Sequence, residues 1–151
     1  MIEFQDVEDE ALIFRHSLFV SATYKVIHYC AQYGGIGLTV KKNFNRKFVD
    51  WAVDAFQWRG YTREDMYMVN KVLNEIDLPP LGFIHEMLIA LKIGRHYKGQ
   101  FKLTRQGNAL AEDITGLFNL VAIALVAVNS ITTLNSVILQ VWRVTKIRIT
   151  I

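Results

Sequence analysis

The chain has 151 residues, 52% of them hydrophobic, with two prolines and a formal charge of +3. That length suits one domain with a real core, and the scarcity of proline and of low-complexity tracts excludes a disordered chain. Cys30 is the single cysteine, which excludes an intramolecular disulfide and a multi-cysteine metal site and fits a reducing, cytoplasmic setting.

Charge is unevenly distributed. The first ten residues carry Glu3, Asp6, Glu8, Asp9 and Glu10 and no base. A signal peptide needs a basic start before an apolar run, so none is expected. Lys41, Lys42, Arg46 and Lys47 form one basic run, and Lys92, Arg95, Lys98, Lys102 and Arg105 form another, free of acids, with His96 inside it. Such runs are commonly solvated faces, and a phosphate-binding surface is the functional alternative.

Residues 7–33 read as one or two helices, with Val20, Tyr24, Ile27 and Tyr33 near helical spacing and Gly34-Gly35 as the stop. Ile36 to Thr39 is a short extended piece. A helix follows from Arg46 to Phe56, capped by Thr39 or Asn45, with Phe48, Val49, Ala52, Val53 and Phe56 on its apolar face. Thr62 and Asp65 resemble a capping box, and a helix is expected from there to about Glu75. Pro79-Pro80 can begin the next helix, placed at Leu81 to Ile93 and closed by Gly94.

Arg95 to Thr104 reads as a β-hairpin turning at Lys98-Gly99, with Tyr97, Phe101 and Leu103 as inward candidates and Lys98, Gln100 and Lys102 outward. Thr104 caps a short helix over Arg105 to Ala111, Gly116 interrupts, and an apolar helix runs to about Val128. No Asp, Glu, Lys or Arg occurs from Ile114 to Trp142. The polar Asn129, Ser130, Thr132, Thr133, Asn135 and Ser136 argue for a core helix and against a membrane span. Ile147, Ile149 and Ile151 alternate with Lys146, Arg148 and Thr150, a strand period. The domain is placed at 1–128 and a divergent tail with a strand at 129–151.

Gly37 to Lys42 and Lys102 to Gly107 form a weak internal repeat that chance explains as well as duplication does. Catalytic patterns fare poorly. His16, His28, His85 and His96 show no metal-ligand spacing, His85-Glu86 lacks the second histidine of a zinc protease helix, and Gly34-Gly35-Ile36-Gly37 is no phosphate loop. No cofactor, metal or enzymatic activity is expected. Trp51, Trp58 and Tyr61 offer ligand stacking or, more commonly, packing.

The helix ending at Ile93-Gly94, the basic hairpin and the following Leu103-Thr104-Arg105-Gln106-Gly107 helix start resemble the helix, wing and exit helix of winged-helix repressors of the multiple-antibiotic-resistance type. Over Lys25 to Ala122 the chain is also similar to a module of the uncharacterised bacterial plasmid open-reading-frame-three-like family. That similarity lies in Gly35 to Thr39, Phe48-Val49, Pro79-Pro80-Leu81, the helix through Leu91, Tyr97-Lys98-Gly99, the Leu103-Thr104-Arg105-Gln106-Gly107 segment and Leu117-Phe118. The chain departs from the family at Lys42 and after about Val128. The resemblance implies a mainly α (α+β minor), winged-helix-like fold with one β-hairpin wing and no established activity.

The helix before the wing carries only His85, Glu86 and Lys92 as polar side chains, too few for base readout. The expected function is therefore nucleic-acid binding in a regulatory role, mainly by backbone contacts through Lys41, Lys42, Arg46, Lys47, Arg95, Lys98, Lys102 and Arg105. The alternative is a protein–protein interaction module. Candidate partners are DNA, a protein or a second copy of the chain, with no membrane expected.

Overall fold

A computed structural model describes residues 3–4, 18–131 and 149–150, with side chains over 18–124. In chain order the elements are β1 (Glu3–Phe4), α1 (Leu18–Tyr33), β2 (Ile36–Gly37), α2 (Arg46–Phe56), α3 (Arg63–Tyr67), a 3₁₀ turn (Glu75–Asp77), α4 (Pro79–Ala90), β3 (Gly94–Tyr97), β4 (Gln100–Leu103), α5 (Arg105–Leu110), α6 (Ile114–Ile131) and β5 (Ile149–Thr150). The protein is mainly helical with a small antiparallel sheet, as the sequence led us to expect.

Helix α1 is the centre of the core. Phe19, Val20, Ala22, Val26, Ile27 and Cys30 are all buried on it, and α2, α6 and the sheet pack around it. Gly34 and Gly35 follow with φ of 74° and 151° and end the helix. Residues 7–17, where the sequence also led us to expect helix, lie outside the described residues. Helix α2 has the bounds its pattern predicts. Asn45 accepts the Phe48 N–H on its side chain at 2.9 Å, and Phe48, Val49, Ala52, Val53 and Phe56 are buried. Thr39 instead accepts the Asn43 N–H and closes its own turn.

The helix expected from Thr62 to Glu75 is much shorter. The capping box forms, but α3 stops at Tyr67. Asn70 closes the turn by directing both its backbone and side-chain amides onto the Met66 carbonyl. Beyond it the apolar residues lose helical spacing: Leu73 is buried while Met68, Val69 and Val72 face solvent. Helix α4 starts two residues earlier than expected, because Pro79 and Pro80 fit its first turn, and it ends at Ala90. Lys92, with φ of 59°, makes the left-handed exit expected of Gly94. Gly94 opens β3 instead, where an added Cβ would lie 2.0 Å from the Phe101 ring.

The sheet has the order β2-β4-β3, all antiparallel, so the extended piece after Gly35 joins the hairpin as a third strand. Lys98 and Gly99 turn the hairpin with φ of 48° and 75°, the signature of a two-residue I′ loop. Thr104 then ties the hairpin base to α4 and α5. Its hydroxyl donates to the Lys92 carbonyl at 2.6 Å and accepts the Gly107 N–H at 3.2 Å.

Gly116 does not interrupt α6. It lies in the first turn, where its N–H is accepted by Asp113 at 2.9 Å. Leu117, Val121 and Ala122 bury this helix against the core, and no helix among the described residues is long and apolar enough to cross a membrane. The strand expected near the end is present as β5, which pairs antiparallel with β1 (Glu3 with Thr150, Phe4 with Ile149). Ile147 and Ile151 lie outside the described residues.

Candidate functional site

The hairpin presents two chemically different faces. Cross-strand partners share a face, and the register pairs Arg95 with Lys102, His96 with Phe101, and Tyr97 with Gln100. Tyr97 therefore points outward with Arg95 and Lys102, not inward as expected; it is His96 that shares the buried side with Phe101. A two-residue turn places position 97 opposite 100, so the turn assignment itself carried this parity.

The outward Tyr97 ring is surrounded by cations. The Arg95 guanidinium carbon and the Lys98 ammonium each lie 5.2 Å from its centroid, and the Lys102 ammonium lies at 5.7 Å. Each pair is a cation–π contact. Among the described residues none of the three forms an ion pair with an acid. Three like charges on one exposed ring repel one another, and an anion seated among them would relieve that repulsion.

The remaining basic positions are more dispersed. The Leu38 N–H bonds the Gly99 carbonyl at 2.9 Å, so the turn holding Lys41 and Lys42 emerges beside the hairpin tip. Arg46 donates to the Asn74 side chain at 3.0 Å. Lys47 is exposed on α2, and Arg105 is exposed at the start of α5, at the hairpin base. Trp58 is buried edge-on against Phe19, and Trp51 packs on Tyr29 and Phe48, so these indoles serve the core.

Behind the hairpin lies a cleft of about 850 Å³ between α4, the 3₁₀ turn and the 41–43 turn. Its floor holds a hydrogen-bonded chain that local spacing did not reveal. Glu75 Oε1 faces His85 Nδ1 at 2.5 Å, and His85 Nε2 faces His96 Nε2 at 2.8 Å. Glu75 and His85 are buried, and Phe44 stacks flat on the His85 ring at 3.9 Å. Burial holds the His96 imidazole below its ordinary pKa, aided by charge on His85 and Lys42 and opposed by Glu75. The histidines meet because the hairpin folds back over α4; position 85 on a helix and 96 on a strand share no sequence spacing that announces this.

Comparison with known proteins gives a consistent but sparse picture. A family model described as the Y4jL N-terminal domain matches residues 15–115. An uncharacterised protein y4jL of Sinorhizobium fredii is 42% identical over 96 residues, covering 64% of this chain and 44% of the relative. The chain thus spans under half the length of that relative. No solved structure matches.

Proposed function

The chain belongs to the Y4jL N-terminal domain family, and we propose that this domain binds nucleic acid through its basic hairpin, mainly by backbone contacts and in a regulatory role. The observation that carries the reading is the cluster of Arg95, Lys98 and Lys102 about the exposed Tyr97 ring. Cations engage phosphates and release counterions, and an aromatic face among them can stack on an unpaired base. Lys41 and Lys42 extend the positive surface past the hairpin tip, with Arg46, Lys47 and Arg105 at its margins. The winged-helix analogy and the likeness to the open-reading-frame-three-like family belong to this proposal. Helix α4 buries Leu81, Ile84, His85, Met87 and Leu88 and leaves no polar face to read base edges, which favours weak sequence specificity.

A protein-binding reading has its own support. Met68, Val69 and Ile76 are each 82% exposed, an uncommon density of large apolar side chains in one surface segment.

Titration of labelled single- and double-stranded DNA and RNA across salt concentrations separates the two readings. Binding should weaken steeply with salt. The Lys98→Ala/Lys102→Ala double variant should lose affinity for all sequences alike, with the salt slope reduced by roughly one unit per lost contact. Absence of binding by the wild-type protein at low salt would end this reading and leave the protein partner.

A further inference from the structure

We propose that the cleft behind the hairpin binds a small organic monoanion, a carboxylate on an apolar body, with Lys41, Lys42 and His96 as its anion-binding groups. This site is separate from the nucleic-acid surface, because His96 leaves the hairpin on the face opposite Arg95, Tyr97 and Lys102. The cleft volume of about 850 Å³ falls within the roughly 300–1,000 Å³ of small-molecule pockets, which combine apolar walls with a few convergent polar groups. Ile76, Pro79, Phe83 and Ile89 supply the apolar wall. Ile76 is 82% exposed and Ile89 36%, so an apolar body seated there takes out of water large side chains that the fold leaves wet.

The polar end of the cleft is held in place by the fold. Thr39 closes the turn that carries both lysines, accepting the Lys42 N–H on its carbonyl and the Asn43 N–H on its hydroxyl. The next residue, Phe44, is buried and stacks on the His85 ring, which ties the turn to the cleft floor. Among the described residues neither lysine forms an ion pair with an acid. Glu75 fixes His85, and His85 fixes His96 through the Nε2 contact. A carboxylate can only accept, so His85 donates from Nδ1, and one further proton lies between the two Nε2 atoms. When His96 supplies that proton, its Nδ1 is a bare acceptor. A proton added there makes the ring a cation with an N–H to donate to a carboxylate.

Charge sets the class of ligand. Lining the cleft with His96 are Glu75 from the 3₁₀ turn, His85 and Glu86 from α4, and Lys41 and Lys42 from the 41–43 turn. Two lysines and a protonated His96 set against two carboxylates leave one positive charge in excess. A monoanion matches that excess, and a phosphate dianion exceeds it. In the empty cleft burial keeps His96 below its ordinary pKa, aided by His85 and Lys42 and opposed by Glu75. An anion beside the ring favours its charged form. Binding therefore takes up a proton and strengthens as the pH falls toward the ordinary histidine range.

The experiment is titration of the full chain with 1-naphthoate, followed by histidine side-chain NMR and by calorimetry in buffers of different ionisation enthalpy. Saturable binding should be roughly tenfold or more tighter than that of 1-naphthamide, the uncharged analogue, or of inorganic phosphate. Affinity should rise several-fold from about pH 8 to about pH 6, with proton uptake. Lys41→Gln/Lys42→Gln should weaken binding roughly tenfold, and His96→Gln should abolish the proton uptake. Ile76→Ser, a change at an exposed side chain, should weaken binding about threefold. Lys98→Ala/Lys102→Ala, on the outer face of the hairpin, should leave naphthoate affinity unchanged, so this proposal and the nucleic-acid reading fail separately. Circular dichroism of each variant confirms folding. Absence of saturable binding, equal affinity for naphthamide, or unaltered affinity in Lys41→Gln/Lys42→Gln overturns the proposal, as does a loss in Lys98→Ala/Lys102→Ala as large as that in the cleft lysine variant.

Discussion

Gly107 shows how one missing side chain can fix a junction. A Cβ there would sit 2.1 Å from the Ile93 carbonyl oxygen, a rigid backbone atom at the hairpin base. Gly107→Ala should therefore lower stability by about 1–3 kcal/mol, the usual range for overpacking, read as a lower urea midpoint. Cys30 offers a second test. Its thiol is buried, lies 3.5 Å from the Phe101 carbonyl, and is pushed up to about 11 by desolvation. It should resist alkylation at neutral pH in the folded protein and react promptly in denaturant. Its core role was legible from its place among apolar residues on a helix. The Glu75–His85–His96 chain was not legible, because its three members lie in a 3₁₀ turn, a helix and a strand that only tertiary packing brings together.

Among the elements, α2 was the most readable, since its apolar face and one of its two candidate caps, Asn45, agree with the observed bounds. Asn45→Ala should remove the side-chain bond to the Phe48 N–H and reduce stability by about 1 kcal/mol, measurable by thermal or urea unfolding. The hairpin was readable from Lys98-Gly99, although the facing of Tyr97 was lost by not carrying the parity of a two-residue turn through to its strands. The segment after Tyr67 was misread as helix because capping signals mark where a helix starts and say little about how far it continues. Its length was decided by Asn70 and by the burial of Leu73 and Glu75, which are tertiary facts. The contribution of β2 to the sheet was likewise hidden, since Ile36 pairs with Phe101 across 65 positions of chain.

At the scale of the whole molecule, α1 and α4 form a floor on which the small sheet rests, and the sheet divides a cationic outer surface from a histidine-lined cleft. That division has a pH consequence. His96 titrates below its ordinary value, foremost through burial, so the unfolded chain takes up this proton at a pH where the folded chain does not. Stability should decline as the pH falls through the ordinary histidine range, roughly 6.5, and be restored above it. The ring's exposure makes this slope shallow. His96→Ala should flatten it further, as compared by urea midpoints at mildly acidic and mildly basic pH.

Among the described residues, four without a glycine's freedom adopt positive φ, and three of them are lysines: Lys42, Lys92 and Lys98. A left-handed backbone costs an ordinary L-residue about 1–2 kcal/mol, and a glycine would occupy each turn with less strain. Lys98→Gly should accordingly raise or preserve the melting temperature while weakening nucleic-acid binding, and Lys42→Gly should do the same beside the hairpin tip. Tolerance of torsional strain at such bends is what stability–activity antagonism would look like in a backbone: glycine would relax the fold at these positions, and the proposed anion-binding surface would lose a charge with each lysine replaced.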